Sequence, residues 1–218
     1  MKYLFISIIS LVAVGWWQQD AVKQAINPNY VPAVSVSSVP PEQVADPFAD
    51  KLSKAAVELT KVSVTYDPSY FSIKYPMGDV PEGKGVCTDV VIRAYRALDI
   101  DLQQLVHEDM KANFSEYPKV WGLKKTDTNI DHRRVPNLQK FFSRMGAAKK
   151  ITKEGKDYLP GDVIAWNLWG GTNHIGVVSN RKVAGTDRYY IVHNIGFGQE
   201  LSDCLFSYKI IGHYAFRG

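Results

Sequence analysis

The apolar residues of this chain change period part-way along. Up to about residue 146 they recur every three or four positions; from residue 160 they alternate, or run together in short stretches bounded by turn residues. In the first part, "FADKLSKAAVELTK" (48–61) places Leu52, Ala55, Ala56 and Leu59 on one face. Residues 88–98 do the same with Val90, Val91, Ala94, Ala97 and Leu98. Asp101 is placed to cap a third helix over 101–114, and Pro136 opens a fourth that carries Leu138, Phe141, Phe142 and Met145 and stops at Gly146. The second part offers "PGDVIAW", "HIGVVS", "YYIVHNIG" and "LFSYKIIGHYAF", which read as strands of an antiparallel meander. Helices first and strands afterwards predict an α+β domain with its N-terminal helices packed on that meander. Residues 66–85, rich in Tyr, Pro, Gly and Asp, read as a long ordered loop with one short strand near Phe71 to Lys74.

The folded domain is expected over 48–218. Residues 1–19 begin with Lys2 and an apolar stretch from Tyr3 to Val14 that is short for a membrane span and reads as a secretory signal; Trp16 and Trp17 leave an uncleaved anchor as the alternative. Residues 20–47 hold Pro28, Pro32, Pro40, Pro41 and Pro47 amid Ser, Val and Gln, the composition of a flexible tether. Export to the periplasm or cell envelope follows from that reading. A net charge of +4, with Lys and Arg scattered rather than striped, argues against nucleic acid as a partner and fits attraction to an anionic wall polymer. A monomer without cofactor is expected. His107, Asp109, Asp127, Asp131 and His132 lack the His-x-x-x-His spacing or Cys pair of a metal site.

Cys87 stands between the glycine-rich "EGKG" and the second helix. In an exported protein the plain reading is a bridge to Cys204, the other cysteine, or a buried apolar plug. A thiol in the first turn of a helix, however, feels the positive end of the dipole, which favours thiolate. Asp89 opposes this by like charge, so a nucleophile here needs a partner base. Two histidines are placed to serve. His174, Gly176 and Val178 share one face of a strand, as do Tyr189, Ile191 and His193 of the next. With 176 opposite 191, His174 falls opposite His193 and both rings project from one face, His174 as general base and His193 orienting it, with Asn194 as the fallback after a one-residue slip. The arrangement requires the sulfur to come within reach of the first ring, on its side of the sheet. His213 reads as structural, and Trp121, Trp166 and Trp169 as core or rim.

This order of residues, Tyr75 in "YPMG", Cys87 at a helix start, "PGD" (Gly161, Asp162) opening a strand, His-x-Gly (His174, Gly176) and His193 in "IVH", resembles the NlpC-type cell-wall hydrolases, papain-like cysteine peptidases of bacteria. More narrowly, "GVCTDVVIRAYRALDIDLQQLVHEDM", "NIDHRRVPNL" and "VHNIGFG" resemble a secreted bacterial family catalogued as a domain of unknown function, over roughly residues 50–218. The resemblance implies a papain-like fold in which Cys87 attacks an amide carbonyl and His174 shuttles the proton. Backbone N–H groups at the helix start, with Thr88 and the Tyr75 hydroxyl in support, would hold the oxyanion. Val86, Thr88 and Asp89 stand where the wider family has Asp before the cysteine and Ser-Gly after it. In "NIDHRRVPNL", Arg133 and Arg134 would grip carboxylates of a wall peptide, with Asp89, Asp131 and His132 also at the substrate; a solvated turn is the plain alternative. The expected activity is an exported cysteine hydrolase cutting amide bonds in peptidoglycan stem peptides. The alternatives are a catalytically inactive wall-binding module on the same fold, or an amide-directed acyltransferase or deamidase.

Overall fold

The computed structural model describes residues 46–218. The expected signal segment and nearly all of the expected tether lie outside these residues. The last two tether positions belong to the domain: the Asp46 carboxylate accepts the Phe48 and Ala49 N–H groups at 3.0 and 3.2 Å and Pro47 opens helix α1 (Pro47–Leu59).

Four helices form. After α1 come α2 (Cys87–Arg96), α3 (Leu102–Ala112), capped by Asp101 as its spacing predicts, and α4 (Val135–Arg144). α2 is the central one, with Val90, Val91, Ala94 and Tyr95 buried against α1 and the sheet, and only Arg93 and Arg96 turned outward to pair with Asp79. The strand expected near Phe71 to Lys74 does not form. The loop pairs at its two ends instead, where β1 (Thr65–Tyr66) runs parallel to β2 (Lys84–Gly85). Its middle is held by side chains: buried Gln103 accepts the Gly78 N–H at 2.8 Å and donates to the carbonyls of Lys74 and Thr128. Gly78 is obligatory there, because a Cβ would fall 1.8 Å from the Lys74 oxygen.

The second half is a five-stranded antiparallel sheet of β3 (Val163–Asn167), β4 (Asn173–Lys182), β5 (Tyr189–His193), β6 (Glu200–Ser202) and β7 (Lys209–Tyr214), in the order β6-β5-β4-β3-β7. β3, β4 and β5 form the expected meander, and β6, which was not among the expected strands, extends it. β7 departs from it by crossing back to pair with β3, and the run "LFSYKIIGHYAF" is strand only from Lys209 to Tyr214. Both faces are covered. Val163, Ala165, Ile175, Val177 and Val192 pack on the helices, whereas Ile164, Trp166, Val178 and Ile191 pack under Tyr158, Cys204 and Leu205. A sheet buried on both sides explains the near-continuous apolar runs in its strands. "PGD" is a packing device: Gly161, at φ +80°, has the Ala49 carbonyl 2.5 Å from where a Cβ would stand, and buried Asp162 meets His213 Nε2 at 2.8 Å and Arg217 at 3.3 Å. The Tyr95 hydroxyl donates to the Phe216 carbonyl at 2.9 Å, tying α2 to the chain beyond β7.

Candidate active site

Cys87 is the first residue of α2, and it lines a cleft of about 510 Å³ with Tyr66, Thr88, Trp121, Arg133, Arg134 and Asn173 among the walls. Both cysteines are free, which overturns the bridge reading. The backbone N–H groups of Ile175, Thr88 and Cys87 itself lie near enough to the sulfur to favour its charged form. Burial outweighs these donors and, with the Asp89 charge, pushes the thiol up to about 12. At neutral pH it is a thiol that needs a base at the moment of attack.

β4 and β5 pair with Val177 opposite Val192 and Val178 opposite Ile191. The expected pairing of 176 with 191 is therefore two residues out of register. An even shift keeps the faces, so His174 and His193 still share one. The observed register sets His193 beside Gly176, and a Cβ on residue 176 would stand 3.1 Å from the His193 Cβ and 2.8 Å from Ile191 Cγ2. The missing side chain lets the His193 ring lean diagonally, and its Nδ1 meets His174 Nε2 at 2.8 Å. The other nitrogen of His193 lies 2.5 Å from Ser202 Oγ, 3.6 Å from Cys204 Sγ and 3.7 Å from Glu200 Oε1. Burial, then the charge of His193, holds His174 well below the usual imidazole range, so the ring is neutral.

The face shared by the rings is the one turned away from the helices, with the His174 and Trp166 rings 5.9 Å apart, while Cys87 packs with the helix-side cluster. The expectation of one common side is thus corrected. The sulfur approaches the sheet at the Ile175 backbone, not at the rings. The Val178 N–H bonds to the Asp162 carbonyl on the β3 side, so by alternation the Ile175 N–H points toward β5. The β4–β5 pairing begins at Val177–Val192, which leaves the Ile175 N–H beyond the paired stretch and near the Cys87 sulfur. The sulfur therefore lies against the peptide that joins His174 to Ile175. Asn194, the fallback partner, does not reach His174: its amide donates to the Gly85 carbonyl at 3.3 Å and its oxygen accepts from Gly196.

The remaining expected residues divide. Arg133 is committed within the protein: its Nε and Nη2 hold both Asp89 oxygens at 3.0 Å, Nη1 donates to the Ser69 carbonyl, and its own carbonyl accepts from the Thr88 hydroxyl. Asp89 also accepts the Val86 N–H at 2.7 Å, closing the first turn of α2 in place of the polar cap that Val86 cannot supply. These two residues position the cysteine turn instead of gripping substrate. Asp131 and His132 are fully buried behind the cleft. Asp131 binds the Asp127 N–H and His107, its carboxyl raised by burial; burial, then the Arg133 charge, lowers His132 to about 3. Tyr75 is also displaced. Its ring stands edge-on to His107 at 5.3 Å, on α3, away from the cleft. Tyr66, passed over in the sequence, lines the cleft because β1–β2 pairing sets it opposite Gly85, two residues before the thiol. A two-residue strand carries no readable period, so nothing in the pattern could single it out. Among the described residues no group of three or more His, Cys, Asp or Glu is arranged to hold a metal ion.

Residues 53–216 match the family model described as a domain of unknown function, DUF1287. The chain belongs to that family. A relative from Escherichia coli (strain K12), "Uncharacterized protein YijF", is 51% identical over 151 residues, which cover 69% of this chain and 73% of that protein. Among solved structures, NlpC1 from Trichomonas vaginalis aligns over 80% of this chain and 46% of its own, with a TM-score of 0.41 and 14% identity. NlpC2 from the same organism aligns over 81% and 49%, with a TM-score of 0.40 and 15% identity. The chain spans about half the length of these two structures. With the family shown, "GVCTDVV", "NIDHRRVPNL" and "VHNIG" acquire a common location: each contributes to the cleft, to its support or to the paired rings.

Proposed function

We propose that this DUF1287 protein is an exported, papain-like cysteine hydrolase that cleaves an amide bond in peptidoglycan stem peptides. The observation that carries the reading is the Cys87 sulfur at the head of α2, open to a cleft and held against the peptide that follows His174, whose far nitrogen is bonded to His193. In this reading His193 is neutral when His174 Nε2 donates to its Nδ1, which leaves His174 Nδ1 to take the thiol proton, and the ring has to reach the sulfur past the Ile175 peptide; His193 itself stands beside Ser202 and Glu200.

In this mechanism the sulfur attacks the carbonyl carbon as its proton passes to His174. The N–H groups of Cys87 and Thr88, which already face the sulfur, take the developing oxyanion, and the Tyr66 hydroxyl stands in the cleft for the role expected of Tyr75. Imidazolium His174 then protonates the leaving amine, and water, activated by the same ring, splits the thioester to release acid and thiol. Digestion of purified sacculi by the full-length protein tests this. Wild type should release soluble peptide fragments and Cys87→Ala should release none, with fragment masses identifying the bond; unchanged release by the variant would remove Cys87 as nucleophile. A second reading, a wall-binding module without turnover, draws on the burial that pushes this thiol up to about 12. It predicts sacculus binding with no release, and no Cys87-selective alkylation by iodoacetamide at neutral pH.

A further inference from the structure

Of the two arginines in "NIDHRRVPNL", the first is saturated by Asp89 and Ser69, but the second is not. The Arg134 guanidinium lies 3.9 Å from the centre of the Trp121 ring, and both residues line the cleft that holds the thiol. No hydrogen bond or ion pair reaches this guanidinium among the described residues, where the Asp131 and Asp127 charges act on it only from farther off, and its Nη1 is buried without a hydrogen-bond partner. A shielded N–H donor left unmade is costly, and a guanidinium fork is matched by an oxyanion, a carboxylate or a phosphate, that takes two of its donors together; beside an amide of a peptide the carboxylate is the available one. Contact with the Trp121 ring restrains the guanidinium before any ligand arrives. Arg134 is also the one cation on the cleft wall left uncommitted, since Arg133 is consumed.

We propose that Arg134, held over the Trp121 ring, is the specificity residue of the Cys87 cleft and binds a free carboxylate carried by the substrate beside the amide to be cut. This rests on the reading of Cys87 as the nucleophile. The substrate class it selects is an acidic acyl compound or peptide, in preference to the same molecule amidated. Removing Arg134 should therefore abolish discrimination between acid and amide rather than reactivity as such.

Iodoacetyl derivatives of glycine, β-alanine and 4-aminobutyrate, each as free acid and as neutral amide, test this on the whole protein. In each the sulfur displaces iodide and its proton leaves to base, so no hydrolysis is needed. At least one acid should alkylate Cys87 about tenfold faster than its amide in wild type. That ratio should fall to about one in Arg134→Gln and partly return in Arg134→Lys. A merely structural role would slow acid and amide together and leave the ratio alone. An acid-to-amide ratio near one in wild type, or one unchanged in Arg134→Gln, overturns the proposal. If Cys87 resists every probe, the nucleophile reading fails by itself, and thermal shifts with N-acetylglycine against N-acetylglycinamide at matched ionic strength decide the binding. An acid-specific rise in Tm that Arg134→Gln removes supports the carboxylate site, and equal or absent shifts overturn it.

Discussion

Gly176 shows how much a single absent side chain can organise. His193 is its cross-strand neighbour, so any Cβ there competes with the ring that must reach His174. Gly176→Ala should cost about 1–3 kcal/mol in urea unfolding, as overpacking does, and should displace the His193 ring. The imidazole NMR signals should report that displacement, and sacculus digestion should fall with it; an alanine variant of unaltered stability and spectrum would show that the clearance is not needed. The same residue marks the limit of sequence reading. The alternation that places His174 and His193 on one face is visible in the pattern, and their pairing was expected. The register and the side of the sheet were not visible, because strands buried on both faces present apolar residues in either direction.

Elements rather than single contacts explain why "NIDHRR" sits where it does. The short 3-10 turn Asp131–Arg133 is wedged between α3, α4 and the start of α2, and Arg133 joins it to Asp89 in a pair with only 2 and 3% of its side-chain surface exposed. Taking away one partner of a buried pair strands the other charge. Arg133→Ala should cost about 3–5 kcal/mol, and Arg133→Met combined with Asp89→Leu should cost less than that single change. Chemical denaturation of the three proteins checks this, and a double variant weaker than the single one would contradict it. The four helices and most strands were readable from period and caps, since Asp101, Pro136 and the 3.6-residue spacing act locally. The roles of Arg133, Tyr66 and Tyr75 were not. Each is decided by a partner more than twenty positions away or by a two-residue strand, and spacing from Cys87 therefore selected a tyrosine that stands away from the cleft.

Across the whole molecule, acid should unfold this domain early. His132, lowered by burial from 6.5 to about 3, and His174, lowered well below 6.5, are both neutral when folded. The unfolded chain binds protons on these rings once pH falls below about 6.5, so their contribution is complete above that value and is lost as pH drops toward 3, at about 1.4 kcal/mol per pH unit for each ring. Asp131, raised by burial, works in the opposite sense but is a single group against two. Urea midpoints should fall from pH 7 to pH 5, and His132→Gln should flatten the slope; a midpoint that holds constant over that interval would contradict the buried neutral rings. The link from Tyr95 to the carbonyl of Phe216 spans 121 residues, and it belongs to the helix that carries the sulfur. During synthesis that helix emerges long before the polypeptide that must close over it. The ribosome thus delivers the Cys87 sulfur first and the strands bearing His174 and His193 last.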